Sequence, residues 1–118
     1  MKYEWIYDYV KSLKGAQVEF KKEWEVNRFM IRDKMFGMVG GDNEGNPIIT
    51  LKLKPENGQL LRDAYNDIKP GYYMNKEHWN SVYMEGIVPD EVVKDMVNES
   101  YSLIFGAFSK KVQKEISE

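Results

Sequence analysis

A chain of 118 residues with no cysteine and 42% hydrophobic content has the apolar material for one core of its own and no means of stapling it, so disulfides, thiolate metal centres and cysteine nucleophiles are excluded. A formal net charge of −2 at pH 7 provides no global drive toward nucleic acid and confines any such contact to a local patch. Met1-Lys2-Tyr3-Glu4-Trp5 lacks the apolar run of a secretion signal and no stretch is long enough to span a bilayer, so one cytoplasmic domain over residues 1–118 is expected, with no membrane partner.

Trp5, Ile6, Tyr9, Val10 and Leu13 recur at helical spacing, and Gly15 follows as a stop. The period then changes to two. Phe29 and Ile31 alternate with Arg28, Met30 and Arg32, and Ile49, Leu51 and Leu53 alternate with Thr50, Lys52 and Lys54. Turn-forming residues at Asp33-Lys34 and over 40–46 divide this region into strands at Phe29 to Arg32, Met35 to Val39 and Ile48 to Leu53, with a weaker strand or extended arm around Val18 to Lys21. Pro55 suits the first turn of a middle helix over about Glu56 to Tyr65. A further strand is predicted from Trp79 to Met84. Pro89-Asp90-Glu91 opens the last long helix, whose core face is Val93, Met96, Val97, Ser100, Ile104 and Phe108, and Ser109 caps a short final turn over Lys110 to Ile116. The order predicts an α+β fold, an antiparallel β-sheet with N-terminal, middle and C-terminal helices packed on one face.

If Phe29, Ile31, Ile49, Leu51 and Leu53 face the helices, Arg28, Arg32, Thr50, Lys52 and Lys54 emerge together on the uncovered side. One reading of that face is a solvated surface that keeps edges from pairing. The other is a phosphate-tracking surface, bordered by Lys69, Lys76 and His78. The methionines, including Met30, Met35, Met38 and Met84, read as gap fillers in apolar layers.

The connection Lys69-Pro70-Gly71-Tyr72-Tyr73-Met74-Asn75-Lys76-Glu77-His78-Trp79-Asn80 concentrates turn residues, three aromatic rings and the only histidine. Tyr72, Tyr73, Asn75 and Trp79, with His78, are candidate ligand contacts, and a groove lined by the rings would suit a protein or small-molecule partner. The simpler readings are structural. Trp79 anchors the start of a strand, Asn75 and Asn80 satisfy turn backbone, and His78 is a hydrogen-bonded structural histidine. Lys76 is the residue expected to be exposed and functional.

Pro70-Gly71-Tyr72, Met74-Asn75-Lys76-Glu77-His78-Trp79-Asn80-Ser81-Val82, Gly86, Pro89-Asp90-Glu91 and Ser100-Tyr101 together resemble the signature of the MmcQ/YjbR family of small bacterial proteins. The resemblance extends to Gly15-Ala16 and to Leu51-Lys52-Leu53-Lys54-Pro55-Glu56. It implies a frataxin-like (CyaY-like) α+β fold and DNA binding through a double-wing motif. Tyr73 stands where a second histidine is usual and Lys14 where a proline is usual, so no paired-histidine chemistry is expected.

Enzyme readings find little support. Gly40-Gly41-Asp42-Asn43-Glu44-Gly45 joins strand to strand and lacks the helix and lysine-serine pair of a phosphate cradle. No catalytic triad, metal cluster or cofactor motif stands out, and Glu4 and Asp8 are too few to copy the acidic ridge of frataxins. The expectation is a binding protein without catalytic residue, metal or cofactor. DNA is the first partner considered, and a protein or small molecule the alternative.

Overall fold

The computed structural model describes residues 2–71 and 75–118. Among them the order is α1 (Ile6–Ser12), β1 (Ala16–Lys21), β2 (Val26–Ile31), β3 (Lys34–Gly41), β4 (Pro47–Lys52), α2 (Pro55–Ala64), β5 (Ile68–Pro70), β6 (Trp79–Tyr83), α3 (Asp90–Phe105) and α4 (Lys110–Ser117). The strands form one antiparallel sheet in the order β1-β2-β3-β4-β6-β5. The fold is α+β, as the alternation predicts. The arm around Val18 is a full edge strand, whereas β5 is an element the sequence reading lacks, three residues being too short to show a period.

The predicted inward row is buried in the main core. Phe29, Ile31, Ile49, Leu51 and Leu53 pack there with Ile6 and Val10 of α1 and with Val93, Met96, Val97 and Ile104 of α3. Leu61 of α2 and Ile116 of α4 close its margins. The helix ends follow local chemistry. Pro55 occupies the first turn of α2, Asp90 and Glu91 sit at the positive end of the α3 dipole, and the Ser109 hydroxyl accepts the Val112 N–H at 3.2 Å.

Two local departures decide what the other sheet face carries. A bulge between Phe29 and Met30 sets Gly37 opposite Phe29 but Met35 opposite Met30, so Phe36 turns into the core and Met35 turns out. Arg32, expected at the end of a strand, occupies the two-residue β2–β3 turn at φ +51°. Its guanidinium pairs with Glu115 of α4 at 3.1 Å, on the helix side of the sheet. The predicted period fails at both places because bulge and turn change the phase of the alternation.

The β3–β4 loop is built around Asp42. Its carboxylate accepts the Glu44 and Asn46 N–H groups, each at 2.9 Å, and the Tyr83 hydroxyl at 3.1 Å. Desolvation pushes this carboxyl upward, but the donors outweigh it and hold its pKa below the ordinary value. A depressed carboxyl stabilises the fold above its unfolded pKa, and the contribution is lost as pH falls through the folded value. Melting curves of the native chain and Asp42→Asn are therefore expected to differ at neutral pH and to converge in acid. A gap unchanged down to the lowest pH at which both fold would contradict this.

Candidate functional site

The uncovered sheet face is not basic. Val26, Met30, Met38 and Ile48 are each no more than 8% exposed, yet all lie outside the main core cluster. They form a second apolar layer on the side away from the helices. Register places Met38 between Arg28 and Thr50, and Ile48 between Gly40 and Tyr83. Within this layer lies a cavity of about 380 Å³, lined by Trp24, Val26, Met35, Met38, Gly40, Gly41, Ile48 and Thr50. The volume lies near the low end for small-ligand sites.

The cavity wall is closely packed at Gly40. A Cβ on Gly40 would stand 2.5 Å from Val26 Cγ1, so this strand position must lack a side chain for Val26 to lie against its backbone in the cavity wall. Trp24, in the β1–β2 turn, is 56% exposed at the cavity mouth. Lys21 Nζ and Arg28 Cζ lie 5.4 and 5.7 Å from its ring centroid, a cation–π arrangement that holds the ring while leaving it accessible. Met35 and Met38, read as gap fillers, instead line the cavity, where flexible thioethers adapt to varied shapes. Met84 and Met96 are core residues as expected.

The predicted cations do not converge. Arg28 does project from the open face, but it is ion-paired to Glu19 of β1 and its side chain is only 17% exposed. Arg32 is on the helix side, as described. Lys54 lies beyond β4 as the N-cap of α2, where its backbone N–H binds Glu99 of α3 at 2.8 Å. That leaves Lys52 and Lys69. Lys52 stands opposite Trp79 on the open face and Lys69 opposite Ser81 on the edge strand β5. Two guanidinium groups neutralised by carboxylates and one lysine beyond the strand reduce the expected basic face to one corner.

In the connection from Lys69 to Asn80, Tyr72 and Tyr73 lie outside the described residues, so the expected aromatic groove rests here on Asn75, His78 and Trp79. Asn75 Oδ1 accepts the Glu77 N–H at 2.9 Å, the predicted turn role. Lys76 is exposed. The His78 carbonyl accepts the Leu53 N–H at 2.8 Å and the Asn80 side-chain amide at 3.2 Å. Its imidazole has no hydrogen-bond partner among the described residues. Asn80 is fully buried and accepts from Arg62 of α2. Trp79, expected as a core anchor, is half-buried beside Lys52, outside the main core cluster.

The sequence held a signal for the apolar layer. Ile48 and Ile49 are adjacent, so β4 presents an apolar side chain to each face of the sheet, the mark of a strand buried on both sides. Among the described residues, no group of three or more His, Cys, Asp or Glu is placed to hold a metal ion, and no helix is long and apolar enough to cross a membrane.

A family model described as YjbR matches residues 11–103, which contain every strand of the sheet. The chain is 33% identical to the uncharacterized protein YjbR of Escherichia coli (strain K12) over 93 residues, 79% of this chain and 78% of that one. It is 37% identical to the uncharacterized protein YbdF of Escherichia coli O157:H7 over 97 residues, 82% of this chain and 77% of the other. Among solved structures, Deinococcus radiodurans protein DR2400 superposes with a TM-score of 0.83 at 28% identity, covering 95% of this chain and 85% of that one.

Proposed function

We propose, from the premise that this chain belongs to the YjbR family, that it is a non-catalytic binding module that receives an apolar group in the cavity of its open sheet face. The observation that carries this reading is the second apolar layer: a sheet face with no helix over it among the described residues that is nevertheless apolar, hollowed by a cavity and fronted by an accessible tryptophan. It supports the small-ligand or protein-partner alternative, with the contact on this reading in the cavity rather than in the Tyr72–Trp79 groove.

Calorimetry with indole as a neutral probe tests it. The native chain is expected to bind, and Met35→Trp, which fills the cavity from a half-buried position, to weaken binding at least ten-fold while remaining folded. Equal affinity of the two chains, or no binding by the native one, would remove the reading.

A second reading, nucleic-acid contact through the double-wing surface, is favoured by one observation: Lys52 and Trp79 are register partners, so a base could stack beside a phosphate contact. Only Lys52, Lys69 and Lys76 of the expected lysines remain for it, and binding through so few cations is weak and salt-sensitive. Anisotropy with a single-stranded oligonucleotide across a salt series decides. This reading needs affinity at low salt that a Lys52, Lys69 and Lys76 triple alanine variant loses.

A further inference from the structure

We infer that the occupant of the cavity is a small carboxylic acid with an aromatic or branched aliphatic body, its carboxylate held by Lys52 and the Thr50–Ser81 hydroxyl pair. The inference rests on the cavity reading above and adds the chemical class of the ligand.

The first support is a surplus proton. Thr50 Oγ1 and Ser81 Oγ lie 2.9 Å apart, and the residues are 1% and 2% exposed, with Thr50 in the cavity wall. Whichever hydroxyl donates, the other keeps an O–H with no acceptor among the described residues. A buried donor of this kind calls for an acceptor, which a ligand in the cavity would supply. The second support is Lys52. It follows Thr50 by two residues on the same strand face, about 7 Å along β4. Its ammonium has no carboxylate within ion-pair distance among the described residues, whereas Arg28 and Arg32 both have theirs.

Both groups donate; of them only Thr50 lines the cavity, with Lys52 and Ser81 next to it along β4 and on β6, and the other lining side chains are apolar. No acid lines the cavity. Asp42, just beyond Gly41, already accepts from Glu44, Asn46 and Tyr83. An amine would therefore find no counter-charge among the lining residues, while one ammonium without a carboxylate partner among the described residues and one spare hydroxyl proton match the two oxygens of a monoanion. The body of the ligand then lies against Ile48, Met38 and the face of Trp24.

Calorimetry on the full chain at pH 7.5 with 4-phenylbutyrate and its neutral amide, 4-phenylbutanamide, tests this. The acid is expected to bind at least ten-fold more tightly than the amide. Lys52→Met should abolish that preference without changing amide affinity, Lys52→Arg should keep most of it, and Thr50→Val should weaken only the acid, with melting curves verifying the fold of each variant. Equal affinities for the native chain, or a preference that survives Lys52→Met, overturn the carboxylate assignment and leave a neutral apolar site. Binding of neither probe overturns the cavity reading together with this inference.

Discussion

Phe36→Ala is expected to lower the unfolding free energy by about 3–5 kcal/mol, the range for truncating a fully buried aromatic ring. Phe36 has no exposed surface and reaches the core only because the bulge at Phe29/Met30 turns it inward. There its ring meets Phe29 at 5.9 Å and Tyr101 of α3 edge-on at 5.6 Å, joining sheet to helix. Neighbouring strands hold the backbone at this point, so the site has little freedom to collapse around the lost ring. Urea denaturation checks it: the midpoint should fall with little change in slope. A loss below about 1 kcal/mol would mean that the ring is not a core element, because even modest cavities at such sites cost more.

Ser100→Ala is expected to cost about 2–4 kcal/mol, although it removes one oxygen atom, since each buried group left unpaired costs about 1–3 kcal/mol. The Ser100 hydroxyl, fully buried in the middle of α3, donates to the Phe36 carbonyl and accepts the Lys52 N–H at 2.9 Å. It ties the bulged part of β3 and the end of β4 to one helix. Removing it strands an N–H and a carbonyl where water does not reach. Hydrogen exchange separates this from general weakening: the Lys52 amide should lose more protection than the sheet amides around it. Unchanged relative protection at Lys52 would contradict the bridge. Because Lys52 carries the carboxylate proposal, the same bond fixes the backbone from which its ammonium extends.

Much of the architecture could be read from residue spacing. The stripe from Trp5 to Leu13 gives α1, Ser109 gives the cap of α4, and the alternation of Phe29 and Ile31 with Ile49, Leu51 and Leu53 identifies the inward row. These are local patterns with one periodicity each. The open face departs from the spacing for the complementary reason. A row of cations on alternate positions implies a basic surface only if phase persists, and the bulge at Met30 and the turn at Arg32 break it. Pairings such as Arg28 with Glu19 and Arg32 with Glu115 come from chain segments brought together by folding, so spacing does not disclose them. The apolar layer is partly legible in the adjacent Ile48 and Ile49 of β4 and in Gly40 within a strand. The facing of Lys52 and Trp79, 27 positions apart in the numbering, depends on the β4–β6 register and has no local signature.

The most direct measurement of where this molecule binds is an amide-resolved NMR titration with indole. Shifts concentrated at Val26, Met38, Ile48 and Thr50, and lost in Met35→Trp, are the predicted result. Shifts confined to Lys69 and residues 75–80, with the four cavity amides unmoved, would contradict it and return the site to the aromatic connection.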